Sequence, residues 1–318
     1  MVEVSPLVSV VIGCHNDGPL LATSLDSIAA QQKAPAWECL IVANGPFLAG
    51  GGLQQRLATD VRFRLLHSPR RGLTEALILG CAQARGSYIA RLDAGDVMEP
   101  QRLKHQAEAL AADPAAVLCT SAVQVCGPRW ELLWNDRGTG EAIDVPHHAS
   151  VLFRRDAYEE VGGYRSAFYY GQDWDLWYRL AERGRFLMLN APLTRVRLQV
   201  DGLSSRHRRE QVAIARLSRA CQQARAHGKS EQPLLERAAL LRPSPADPAT
   251  PGRRSRRVNP PWDGRRAEGA YFIAEALRRN GDPRCRAYFH EALRQGFWKL
   301  RIWLRTIQSL KLIVQKQE

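Results

Sequence analysis

Short apolar blocks alternate with amphipathic stretches over the first 123 residues. The runs at 7–12, 37–42, 63–66, 87–92 and 117–123 are too short for helices, and each reads as a strand. Between them, residues 20–31 place Leu21, Leu25 and Ile28 at helical spacing, and residues 73–84 and 101–112 repeat that pattern. Strand and helix in alternation predict an α/β fold with a mostly parallel sheet and helices on both faces. The loops 13–19, 43–52, 67–72 and 93–98 then leave the strands at one carboxyl edge, where open α/β sheets bind ligands.

The order changes afterwards. Residues 149–153 read as a strand, 155–161 as a short helix stopped by Gly162-Gly163, and 174–183 as an amphipathic helix stopped by Gly184. Residues 186–189 and 194–198 are two further expected strands, and 204–242 is helical and charged. Six prolines among arginines in 242–263 leave no regular element there. Beyond them, helices are expected at 267–279 and 283–295, joined by Asn280-Gly281-Asp282, and then at 298–314. That shape is one tetratricopeptide-like unit at most, short of a solenoid. The expected division is a catalytic-type domain at 1–205, a helical extension at 206–241, a linker at 242–263 and a basic helical segment at 264–318.

Charge adds a partner question. The formal net charge is +13, and residues 242–318 hold 17 Lys/Arg against 7 Asp/Glu. This bias suits an appendage meeting anionic lipid or another polyanion, and equally a solvated basic face. Nucleic acid is not expected, since the basic residues are not interleaved with aromatics and no recognised motif is present. The seven cysteines at 14, 39, 81, 119, 126, 221 and 285 lack metal spacing and sit mostly in apolar runs, as reduced buried thiols do. No leader and no membrane-spanning run is seen. The expected location is cytoplasmic, with peripheral contact at the inner face of the cytoplasmic membrane through the basic C-terminal segment.

The chemistry concentrates at Tyr88-Ile-Ala-Arg-Leu-Asp-Ala-Gly-Asp96, where a strand is expected to deliver Asp93 and Asp96 into solvent. Carboxylates on such a corner can hold Mg²⁺ or Mn²⁺ and bridge it to phosphates. They can also serve simply as turn or cap residues. His147-His148 reads as a surface pair. Arg195 and Arg197 alternate along a strand and point to one face, either toward a phosphate or as edge charges that block aggregation.

In order along the chain, Val8 to Asn16, Trp37 to Gly45, Arg71 to Ala76, Ala84 to Pro100, Val151 to Tyr164 and Gly171 to Leu180 resemble the inverting enzymes of glycosyltransferase family 2, which have the GT-A fold. The resemblance implies a nucleotide-sugar donor, with a UDP-sugar as first expectation, and a saccharide or lipid-linked acceptor. It makes Asp173 the general base, Asp93 and Asp96 the diphosphate and metal group, and Cys14, Asn16, Asn44 and Arg71 donor contacts, and it sets His148 near the acceptor. A capping role for Asp173 is the alternative. The chain departs from the family pattern at Gly95, where a metal-motif aspartate is usual, at Ala43-Asn44 in place of an acidic pair, at Gln172 beside Asp173, and at Gln199 in place of a late histidine. Loss of a like charge at Gln172 is expected to lower the pKa of Asp173.

Three functions fit these residues. The first is an inverting glycosyltransferase of cell-surface polysaccharide synthesis, dependent on a divalent cation. The second is a degenerate GT-A domain that binds nucleotide or glycan without turnover. The third is an interaction protein acting through its basic helical tail.

Overall fold

The computed structural model describes residues 5–136, 146–200, 208–243, 264–296 and 300–311. Its elements run β1 (Val8–Cys14), α1 (Pro19–Ala29), β2 (Trp37–Asn44), α2 (Gly51–Thr59), β3 (Phe63–Ser68), α3 (Leu73–Ala82), β4 (Tyr88–Arg91), β5 (Val97–Met98) and α4 (Arg102–Ala112). Then come β6 (Ala116–Cys126), β7 (Leu132–Asp136), β8 (Leu152–Arg154), α5 (Arg155–Glu160), α6 (Gln172–Ala181) and β9 (Arg185–Arg197). Helices α7 (Arg208–Ala226), α8 (Gln232–Ala239), α9 (Gly264–Arg279), α10 (Cys285–Gly296) and α11 (Leu300–Lys311) follow.

The sheet order is β3-β2-β1-β4-β8-β6-β9-β5, with β7 paired to β6. Strands β3, β2, β1 and β4 are parallel, in a register that sets Val8 beside both Trp37 and Tyr88. β8 then pairs antiparallel to both β4 and β6. Alternation along β1 sends Val8, Val10 and Ile12 to one core with Leu21, Leu25, Ile28 and Leu103, and Val11 to a second core with Leu77, Phe153 and Trp177. Because both faces are covered, β1 and β2 read as nearly unbroken apolar runs.

Four local expectations change. Helix α2 starts within the loop expected at 43–52 and continues through residues given no element, because Gly51-Gly52 opens it and Leu53 is its one buried residue, so its apolar signal is weak. The two strands expected at 186–189 and 194–198 are one strand, β9, whose residues 190–192 are exposed, so Pro192 is tolerated. Strands β5 and β7 went unread, being 2 and 5 residues long. Helix α6 starts at Gln172 rather than at Trp174.

The chain divides into two compact units. One comprises residues 1–124, 135–196 and 210–242; the other comprises 125–134, 197–209 and 243–318. In the first, Arg242 lies over the Tyr169 ring and donates to Glu75 Oε1 at 2.9 Å and to Ser166 O at 3.0 Å, so this residue is anchored where a linker was expected to begin. Residues 244–263, the rest of that expected linker, lie outside the described residues. In the second unit α9 and α10 pack along each other with α11 against them. Ala267, Ala270, Ala292 and Ile302 form its core, and Gly281 takes the left-handed conformation at the turn between α9 and α10. All seven cysteines are buried and none is joined in a disulfide.

Candidate active site

Arg91 closes β4, and its guanidinium is wholly buried. Nη1 donates to Val11 O at 2.6 Å and Leu92 O at 2.7 Å, Nε donates to His148 Nε2 at 3.2 Å, and Nη2 donates to Asp93 Oδ1. Tyr164 Oη lies 2.8 Å from the same His148 nitrogen. An Nε2 that accepts from Arg91 carries no proton, so Tyr164 is the donor and His148 is neutral. Burial, and then the Arg91 charge, push the His148 pKa down to about 3. His148 is therefore part of a buried network, and the expectation of a surface histidine pair fails at this residue.

Arg102, at the start of α4, is the second buried cation. It donates to Ala149 O at 2.7 Å, to Arg91 O at 2.9 Å, to Val151 O at 3.1 Å and to Gln106 Oε1 at 2.9 Å. Burial brings its pKa down to about 9. Arg102 thereby ties Ala149 and Val151 to the end of β4, while Arg91 joins the carbonyls of Val11 and Leu92 to His148 and Asp93. Neither was singled out in the sequence. The available signal was an arginine inside an apolar strand, two residues before Asp93 and so on the same face.

The Asp93 carboxylate is 39% exposed. Burial works against its charge, but Arg91 prevails and holds it below the usual carboxylate range. The turn that follows is closed by Asp96 N–H donating to Asp93 O at 3.0 Å, with Gly95 at φ +108°. Ser24 Oγ fixes this turn from α1, donating to Asp96 O at 2.7 Å and accepting Gly95 N–H at 2.9 Å. Asp96 itself is 5% exposed, and its charge bears on Arg102. The expectation that both aspartates reach solvent therefore holds only for Asp93; the tight glycine turn swings Asp96 inward.

Asp173 is the second residue of α6. The N-cap is Gly171 at φ +57°, so the capping alternative does not describe Asp173. Burial raises its pKa to about 6, against the backbone N–H groups of Asp173 and Trp174, and the Asp93 charge adds to the rise. The expected downward shift is thus reversed: desolvation outweighs the missing neighbour at Gln172. Asp175, one turn before Arg179, instead accepts from Arg179 Nη2 at 2.6 Å in a buried pair.

The other expected contacts lie on the same sheet edge. Asn44 is buried; its Oδ1 accepts Gly72 N–H at 2.7 Å, and its carbonyl meets His15 Nδ1 at 3.0 Å. The Cys14 thiol is buried 3.8 Å from Val42 O and pushed up to about 12, so it is inert. Asn16 is exposed on the loop after β1, where its neighbour Asp17 accepts Gly50 N–H at 2.6 Å. Arg71 is exposed, and its charge reaches Tyr169. Arg195 pairs with Glu99 at 2.7 Å and sits on β9, which runs between β6 and the terminal strand β5, so it is not a charge on an edge strand. Arg197 lies over the Trp130 ring.

Among the described residues, no three His, Cys, Asp or Glu side chains cluster as a metal cage does. The ionised, partly exposed Asp93 nevertheless suits a hard cation that takes most of its ligands from phosphate oxygens and water.

The sequence model of Glycosyl transferase family 2 matches residues 9–168, half of the chain. EpsE of Bacillus subtilis, which carries a glycosyltransferase name, is 28% identical over 221 residues, covering 63% of this chain and 76% of EpsE. The O-antigen biosynthesis protein RfbC of Myxococcus xanthus is 31% identical over 188 residues, covering 56% of this chain and 14% of RfbC. The chain spans about a third or less of the length of most curated relatives it matches. Among solved structures, the mannosyltransferase PcManGT of Pyrobaculum calidifontis, in complex with GDP-Man and Mn²⁺, superposes with a TM-score of 0.53 at 19% identity, over 98% of this chain and 86% of that one.

Proposed function

Starting from the fact that this chain belongs to glycosyl transferase family 2, we propose that it moves a sugar from a nucleotide-diphosphate donor to a saccharide or lipid-linked saccharide, with inversion, in cell-surface polysaccharide synthesis. One observation carries the reading. Two carboxylates that feel each other's charge are tuned apart: Asp93 is held ionised and Asp173 is raised to about 6.

Asp173 is the general base. Its carboxylate accepts the proton of the acceptor hydroxyl as that oxygen bonds to the anomeric carbon, while the bond from carbon to diphosphate oxygen breaks and the nucleoside diphosphate leaves with the electron pair. Asp93, with Arg91 behind it, would hold a divalent cation, which when bound supplies positive charge to the leaving diphosphate. Asn16, Asn44 and Arg71 are assigned to the donor, and Asn44 also fixes the loop carrying Arg71. The acceptor class rests on the name of the RfbC relative.

Slow hydrolysis of UDP-, GDP- and dTDP-sugars with Mg²⁺ or Mn²⁺, in the absence of acceptor, tests this reading. One donor is expected to be hydrolysed, with a loss of about 100-fold or more in Asp173→Asn and in Asp93→Ala. A donor-dependent thermal shift without any turnover would favour a binding domain instead. No shift with any donor would remove the donor site altogether.

A further inference from the structure

Helix α11 packs the wrong way round for a helix whose business is only to complete the second unit. Ile302 is wholly buried and joins Ala267, Ala270 and Ala292. Among its described side chains, four other apolar residues face out: Leu300 is 72% exposed, Trp303 46%, Leu304 54% and Ile307 52%. At 3.6 residues per turn these four make one stripe, on the side opposite Ile302. Four exposed apolar residues contiguous on one helix face mark an interaction surface.

Charge identifies what it meets. Residues 292–317 contain no Asp or Glu, while Arg294, Lys299, Arg301, Arg305, Lys311 and Lys316 fall within that stretch. An acid-free basic helix with Trp and Leu on one face has the composition of helices that lie in the headgroup layer of anionic bilayers. At 12 residues α11 is too short to cross a bilayer, and no described helix is long and apolar enough to do so. We infer that α11 docks flat on an anionic membrane surface, its stripe of Leu300, Trp303, Leu304 and Ile307 entering the headgroup layer and the basic excess of this stretch of sequence drawing it to anionic lipid. This inference stands apart from the donor chemistry, and its test needs no turnover.

The full chain is sedimented with vesicles of phosphatidylcholine alone and of equal parts phosphatidylcholine and phosphatidylglycerol, in low and high salt. Binding is expected only with phosphatidylglycerol, weakened by salt. The double variant Leu304→Ser with Ile307→Ser is expected to bind about tenfold or more weakly. Both residues are exposed, so circular dichroism should be unchanged. No binding, equal binding to both vesicle types, or full binding by the double variant would overturn the inference. So would a concentration-dependent dimer that the double variant abolishes, since a second copy would then own the stripe.

Discussion

At the scale of single residues, the chain places unlike carboxyl groups in one electrostatic neighbourhood. Asp173 is protonated below about pH 6, so its base form appears as pH rises, and turnover is expected to climb through that value. A flat rate across this range, with the donor still binding, would remove Asp173 as the base. The same shift has a stability sign. The folded pKa lies above the unfolded carboxyl value of 3.8, so the native state binds the extra proton and loses stability as pH rises from about 4 through about 6. Asp173→Asn is therefore expected to be more stable than the parent at neutral pH, by on the order of 1 kcal/mol, while losing activity. Thermal melts of the two proteins at neutral and acid pH would show whether the difference disappears at low pH, as this sign requires.

At the scale of elements, the turn from β4 to β5 explains a departure from the family pattern. Gly95 has φ +108°, a conformation that side chains rarely adopt, and its N–H is tied to Ser24. A Cβ there would meet Leu20 at 3.6 Å, which is ordinary contact, so the obstacle to a side chain is backbone strain rather than space. Restoring the usual aspartate with Gly95→Asp is expected to cost about 1–2 kcal/mol, read as a lower urea midpoint. An unchanged midpoint together with tighter Mn²⁺ binding would mean that the turn relaxes and that glycine is not required by it. The loop before α3 shows the same economy, since Gly72 has φ +122° and its N–H is held by Asn44. A Cβ at Gly72 would fall 2.7 Å from the Tyr169 ring.

At the scale of the whole molecule, the two edges of the parallel sheet do different work. Opposite the site, Glu38 is 1% exposed and accepts from Ser9 Oγ and Arg85 N–H at 2.8 Å, and from Arg64 and Arg85 side chains at 3.0 Å. Burial opposes its charge, but these donors win and hold its pKa below 4.5. Its stabilising effect is thus present above the unfolded value and lost as pH falls through the folded one. Glu38→Gln is expected to cost about 2 kcal/mol at neutral pH and progressively less in acid, as read by urea unfolding at both. The sequence alone determined the parallel core and the edge on which Asn16, Asn44, Arg71 and Asp93 gather, because strand and helix periods are local and parallel pairing carries every strand end to one side. It also determined the helical hairpin around Asn280-Gly281-Asp282. It did not determine α2, which has little apolar signal, or the inward turn of Asp96. Only the tertiary structure decided the ionisation of Asp93, His148 and Asp173, because burial and the approach of Arg91 depend on segments some 60 to 80 residues apart being packed together.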